Sequence, residues 1–204
     1  MRARFPSPFK YAEQAKVFII TDVNKDNADQ VASAYRALFI ASKGGALGLF
    51  TSIQRLRAVH DRINPALDEA GLNLLAQHVD AMDTPTLVDI FREDVNACLL
   101  GTDAVRDGVD VPGDSLRLIV FDRTPWPRPD ILHRARKERF GGRAYDEMLT
   151  RLKLKQAFGR LIRRAGDRGC FVLLARAVPA RFLKAFPEGA EVKRVGLKEA
   201  VEGI

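Results

Sequence analysis

The chain reads as an α/β domain with a mostly parallel central sheet between two helical layers, and three observations predict it. Short apolar runs alternate with longer amphipathic stretches from one end of the chain to the other, the pattern of strands joined by crossover helices. The runs are continuous, not alternating, as expected of strands buried on both faces. At 204 residues, 47% hydrophobic and 29% charged, the chain is long enough for one well-buried core.

Taken in order, strands are expected at Lys16 to Ile20, Ala46 to Phe50, Leu72 to Ala76, Ala97 to Leu100, Leu116 to Phe121 and Cys170 to Ala175. Helices are expected at Asp26 to Ala41, Ser52 to Ala70, Thr86 to Glu93, Pro129 to Arg139, Tyr145 to Arg164 and Val178 to Phe186. Ser42-Lys-Gly44-Gly45 reads as a helix stop, Thr84-Pro85 as a cap with a first-turn proline, and Asn64-Pro65 as a break inside the second helix. The proline-rich Thr124-Pro-Trp-Pro-Arg-Pro129 must run extended, because each proline removes a donor and restricts the residue before it.

Composition excludes several classes. No apolar run approaches a membrane span, and Met1-Arg-Ala-Arg-Phe-Pro has no signal-peptide character, so a cytoplasmic protein is expected. Cys98 and Cys170 fall in separate apolar runs and read as buried free thiols. The scattered His60, His78 and His133 offer no metal-ligand spacing, and neither a protein metal site nor an iron-sulfur cluster is expected in this chain. The net charge of +7 is concentrated: Arg123 to Arg168 holds 14 Lys or Arg against 5 Asp or Glu, and the remainder of the chain is slightly acidic. Such a surface suits nucleic acid or nucleotide, or is a solvated helix face.

Within that basic segment lies Gln156-Ala-Phe-Gly159-Arg160-Leu-Ile-Arg163-Arg164. On a helix Arg160 and Arg163 would be neighbours, and guanidinium forks match phosphate oxygens in pairs. Earlier comes Gly101-Thr102, then Gly108-Val109-Asp110-Val111-Pro112-Gly113, directly after the apolar run Ala97 to Leu100. The two segments, with Gly45-Ala-Leu-Gly-Leu-Phe50-Thr51-Ser52, resemble motifs V, VI and IV of superfamily 2 helicases of the DinG/XPD type. Ser7-Pro8-Phe9 and Asp122-Arg-Thr-Pro125-Trp126-Pro127 are lesser matches.

The resemblance implies that residues 1–204 are the second, C-terminal RecA-like motor domain of an ATP-dependent DNA helicase. By the same resemblance Arg163 is the arginine finger, Arg160 assists it, and Gln156 couples the nucleotide to the domain interface. Asp110 and Gly108 fall on the nucleotide side, while Thr102, Ser52 and Thr51 would touch phosphates of single-stranded DNA. Plainer roles stand beside these. Asp110 can accept loop amides, Gly108 and Gly113 can serve tight turns, Ser52 can cap the helix after it, and Trp126 can pack instead of stacking on a base.

No Gly-x-x-x-x-Gly-Lys-Ser/Thr segment and no Asp-Glu-Ala-His box occur, and the glycines of Lys43 to Gly48 precede a strand where a phosphate cradle follows one. ATP and Mg²⁺ are therefore expected to be held mainly by an N-terminal motor domain absent from this chain, which alone should not hydrolyse ATP. In this resemblance an iron-sulfur cluster, where present, belongs to that absent domain. The partners expected are single-stranded DNA and the N-terminal motor domain, with no membrane. A free-standing nucleic-acid-binding or regulatory module without catalysis remains the alternative.

Overall fold

A computed structural model describes residues 7–108, 110–111 and 113–204; Val109 and Pro112 of the glycine-rich segment lie outside the described residues. The chain runs α1 (Tyr11–Gln14), β1 (Ala15–Ile20), α2 (Ala28–Ser42), β2 (Ala46–Leu49), α3 (Ile53–Glu69), β3 (Asn73–Ala76), α4 (Thr84–Glu93) and β4 (Ala97–Gly101). It continues with α5 (Asp103–Gly108), β5 (Leu118–Phe121), α6 (Ile131–Arg139), α7 (Arg143–Leu161), β6 (Gly169–Leu174), β7 (Glu191–Val195) and α8 (Leu197–Glu202).

The strands form one seven-stranded sheet in the order β3-β4-β2-β5-β6-β1-β7, and every pairing is parallel. Alternate residues serve opposite layers. Ile19, Leu49, Leu99, Phe121 and Leu173 pack with Phe91, Val105, Leu154 and Phe158 of α4, α5 and α7. Ile20, Cys98, Leu100, Val120 and Leu174 pack with Tyr35, Leu38, Leu56 and Ile63 of α2 and α3. Burial on both sides is why the strands read as continuous apolar runs, and the three-layer RecA-like arrangement follows.

The expected elements differ from the structure in instructive places. β7, Glu-Val-Lys-Arg-Val, escapes a hydrophobic reading because it is an edge strand paired only with β1 and largely exposed. Pro65 does not break α3, whose Leu56, Val59, Ile63 and Leu67 are buried along one face and carry the helix to Glu69. The cap of α4 is Asp83, which accepts from the Thr86 amide, with Pro85 in the first turn. The stop after α2 is as expected: Lys43, Gly44 and Gly45 all take positive φ (55°, 87° and 56°).

Cys98 and Cys170 are buried and free, and burial pushes their thiols up to about 12 and about 11. Among the described residues no helix is long and apolar enough to cross a membrane.

Candidate nucleotide and nucleic-acid site

Parallel strands place all their carboxyl ends along one edge, and three of the expected residues stand there. Thr51 and Ser52 follow β2, and Thr102 follows β4, its direct neighbour in the sheet. Each is already engaged. Thr102, 8% exposed, donates both its amide (3.0 Å) and its hydroxyl (2.9 Å) to Oε1 of Gln77, whose amide nitrogen in turn donates to Thr84 Oγ1 at 3.0 Å. Ser52 is the N-cap of α3 and accepts from the Arg55 amide at 3.3 Å, the plainer of the two roles expected for it. That bond uses an oxygen lone pair and leaves the hydroxyl proton to donate.

Thr51 leads to a group that the sequence reading passed over as chemistry. Its amide donates to Oδ1 of Asp122 at 3.2 Å, and Asp122, just past β5, is fully buried. The Arg55 guanidinium bonds the other carboxylate oxygen and also the Lys25 carbonyl at 2.7 Å, while Arg128 donates to the Thr51 carbonyl at 2.9 Å. Arg123 lies 3.5 Å from the same carboxylate and donates to Asp26 at 3.2 Å. Burial pushes the Asp122 carboxyl above the ordinary aspartate range, against the pull of Arg55, Arg123 and the Thr51 amide. The carboxyl edge is thus lined by three arginines around one inaccessible carboxylate. The only sequence signal was Asp122 in a lesser resemblance. Trp126, in the extended excursion that follows, packs edge-on against Phe182 with ring centroids 5.1 Å apart, and 41% of it stays exposed.

The arginines of the late segment sit elsewhere. Gln156 stands exposed on α7 one turn before half-buried Arg160, so these two do share a helix face. Arg163 does not. α7 ends at Leu161, Ile162 is extended (φ −120°, ψ 108°), and Arg163 begins a turn in which its own amide and that of Arg164 donate to Asp167 Oδ2 at 2.8 and 2.7 Å. The expected helical pairing of Arg160 with Arg163 is corrected accordingly: a carboxylate four residues downstream outcompetes the next helical turn. A side chain on Gly169 would meet Leu161 at 2.5 Å and the Arg117 carbonyl at 2.7 Å, so the chain enters β6 with no room for another turn.

This turn precedes β6 and lies against Gln14, which precedes β1, so it occupies the amino edge of the sheet, opposite Thr102. Function in open parallel sheets gathers at the carboxyl ends of the strands, but α7 runs antiparallel to them and carries its C-terminus, with the late arginines, to the other edge. Asp110 lies on the same side: its carbonyl accepts from Arg92 in the last turn of α4, and its carboxylate is 3.2 Å from the Arg163 guanidinium. Both side chains keep solvent access, 33% for Arg163 and 68% for Asp110. Gly108 is the last residue of α5 and has no positive φ, so the tight-turn role expected for it falls to Gly113 alone (φ 77°).

The structure therefore brings Arg163 to Asp110, sets Gln156 beside Arg160, and separates these from Thr51, Ser52 and Thr102. A surface with guanidinium groups beside a carboxylate can hold a phosphate chain, and the opposite edge offers cations and a serine hydroxyl to a phosphate backbone.

Comparison with known proteins gives the family and the fold. Residues 35–190 match the helicase C-terminal domain family. The chain is 32% identical over 203 residues to a 3'-5' exonuclease DinG of Bacillus subtilis, covering 90% of this chain and 22% of that protein. It is 35% identical over 189 residues to the ATP-dependent helicase DinG of Mycobacterium tuberculosis, covering 86% and 28%. The chain thus spans less than a third of the length of these curated relatives. Among solved structures an XPD helicase superposes with a TM-score of 0.64 at 19% identity over 89% of this chain and 35% of that one, a likeness of fold. On the family match and the sequence similarity, with the fold in accord, the chain belongs to the helicase C-terminal domain family, in the DinG/XPD-type branch of superfamily 2.

Proposed function

We propose that residues 1–204 act as the second motor domain of an ATP-dependent DNA helicase or translocase, paired with an ATP-binding motor domain that supplies the phosphate cradle and the Mg²⁺ ligands. The observation that carries the reading is the 3.2 Å contact between Arg163 and Asp110. It joins the two motif segments most specific to the family on one solvent-accessible face, where a second domain can dock. Phosphoryl transfer demands charge stabilisation above all, because the transition state spreads charge over the transferred oxygens. In this reading Arg163 leaves Asp110 to meet the γ-phosphate as the finger. Arg160 supports it from the end of α7, and Gln156 on the same face transmits nucleotide state to the interface. Asp110 and the end of α5 at Gly108 border the nucleotide.

The opposite edge is the single-strand track in this reading. Ser52 donates its hydroxyl to a phosphate, Thr51 and Thr102 fix the local backbone, and Arg55, Arg123 and Arg128 supply the field. Separation of the two surfaces suits a motor: nucleotide chemistry at one edge and the strand at the other are linked by the rigid sheet, so closure on ATP shifts the track as a body. Alone, the chain lacks the phosphate cradle and does not turn over ATP.

The experiment is DNA-stimulated ATP hydrolysis by the protein carrying both motor domains. Arg163→Ala is expected to lower turnover by about 10³- to 10⁵-fold, the range for arginine fingers elsewhere, without loss of folding. Full turnover in that variant refutes the finger assignment. Binding of this chain to single-stranded DNA is expected to weaken with salt at about 0.7 log units per neutralised phosphate. Salt-independent binding would remove the track, and retention of binding with no response to any motor partner would favour the non-catalytic module.

A further inference from the structure

The arginine turn is held from outside its own helix. Gln14, 7% exposed at the end of α1, points its amide nitrogen at three carbonyls of the turn: Arg164 at 3.2 Å, Ala165 at 3.1 Å and Asp167 at 3.0 Å. Its orientation is unambiguous, because the amide oxygen accepts from the Lys10 backbone at 2.8 Å while the nitrogen faces only acceptors. Asp167, also 7% exposed, takes the amides of Arg163 and Arg164 from the other side. One buried side chain thus sets its two N–H donors among three carbonyls of the turn, of which that of Arg164 also accepts the Asp167 amide at 3.2 Å, and another accepts from two of its amides. The segment bearing Gln14 is itself fastened to α7: Phe9 meets Tyr11 at 5.9 Å, Tyr11 meets Phe158 at 5.8 Å, and the Ser7 hydroxyl bonds that of Tyr11 at 3.1 Å. The Ser7-Pro8-Phe9 segment, which no step of the proposed function uses, gains a task in this way.

We propose that Gln14, with Asp167 opposite it, is the positioning residue of the arginine turn, setting the backbone from which Arg163 projects and so the rate of phosphoryl transfer more than the affinity for nucleotide. The proposal rests on Arg163 as the finger. Without the amide, the Ala165 and Asp167 carbonyls lose their donor, the Arg164 carbonyl keeps only the Asp167 amide at 3.2 Å, and the turn loosens. A finger works only when it is held within a fraction of an ångström, and misplacement by about 1 Å from a distant change costs on the order of 100-fold.

Steady-state ATP turnover in the protein with both motor domains, and amide hydrogen exchange in this chain, test the proposal together. Gln14→Ala is expected to lower kcat by about 10- to 100-fold while KM for ATP moves by less than about twofold. Gln14→Glu keeps the size and the bond from Lys10 but turns a carboxylate onto three carbonyls, so its kcat is expected to fall further. In the chain alone, both variants should accelerate exchange at the Arg163 and Arg164 amides by about tenfold or more while β6 keeps its protection. Unchanged kcat in both variants, with Arg163→Ala inactive, overturns the positioning role and leaves the finger standing. Parallel loss of kcat and β6 protection makes Gln14 merely structural and also overturns it. If Arg163→Ala itself retains turnover, the finger reading fails and the positioning role fails with it, whatever the exchange data show.

Discussion

At the carboxyl edge the candidate hydroxyls of Thr102 and Thr51 are already spent on buried partners, Gln77 and Asp122. At the arginine turn the reverse holds: the backbone is pinned by Gln14 and Asp167, and the Arg163 side chain reaches out to an exposed aspartate at 3.2 Å. The first region holds its hydroxyls and carboxylate in place before any ligand arrives, with the Ser52 proton left to donate, and presents a fixed surface. The second fixes only the root of its working group and leaves the charged tip able to exchange Asp110 for a phosphate. Under the proposed function, a track must keep its register on a strand of any sequence whereas a finger must engage and release with each turnover, and the two constructions suit that division.

The largest change that would break the contrast is Arg55→Ala. It removes the guanidinium bonded to buried Asp122 and leaves only Arg123 at 3.5 Å, and removing one member of a buried ion pair typically costs about 3–5 kcal/mol. A matching drop in the denaturation midpoint, with weaker single-strand binding, is expected; Arg163→Ala should change neither, and equal losses from both variants would erase the distinction between the two regions.

Gly169→Ala probes the other region. Its new methyl group would collide with Leu161 and the Arg117 carbonyl, and overpacking of this kind costs about 1–3 kcal/mol. Because Gly169 follows directly on the arginine turn, faster exchange at the Arg163 and Arg164 amides is expected, with the Thr102 amide unaffected.

Thr102→Val sharpens the account of the edge. Losing one hydroxyl bond to Gln77 should cost about 1 kcal/mol by thermal unfolding and leave single-strand affinity intact, since the hydroxyl faces inward. A clear loss of affinity would show that this hydroxyl turns to the strand. The smallest effect is expected at Gly159, in the last turn of α7, where a methyl group meets no atom within 4 Å and a helical glycine is replaced by alanine. Gly159→Ala should stabilise the chain by about 0.5–1 kcal/mol. If it also impairs the two-domain motor, the open space beside Gly159 is where another body approaches.

Much of the fold was legible because a parallel sheet buried on both faces writes itself as apolar runs, and six of the seven strands could be read directly. The seventh, β7, hides behind its lysine, arginine and glutamate because an edge strand needs little burial. The candidate site was legible in part. Arg163 and Asp110 were named from their motifs and do meet, yet the helix expected to run to Arg164 ends at Leu161, three residues earlier, where the Asp167 carboxylate takes the amides of Arg163 and Arg164. Asp122, Gln77 and Gln14 were missed as working residues, since nothing in their neighbourhoods marks them as buried polar anchors.

By itself the sequence determined the layered α/β fold, the free buried cysteines and the concentration of positive charge after β5. Those properties depend on periodicity, composition and short spacing, which a chain carries locally. Tertiary structure alone decided which edge each arginine occupies, that the Thr102 and Thr51 hydroxyls point inward, and that a glutamine 150 residues away holds the arginine turn in place. Such contacts depend on where distant segments of the sheet come together, and a hydrogen bond between residues so far apart leaves no periodic trace along the chain.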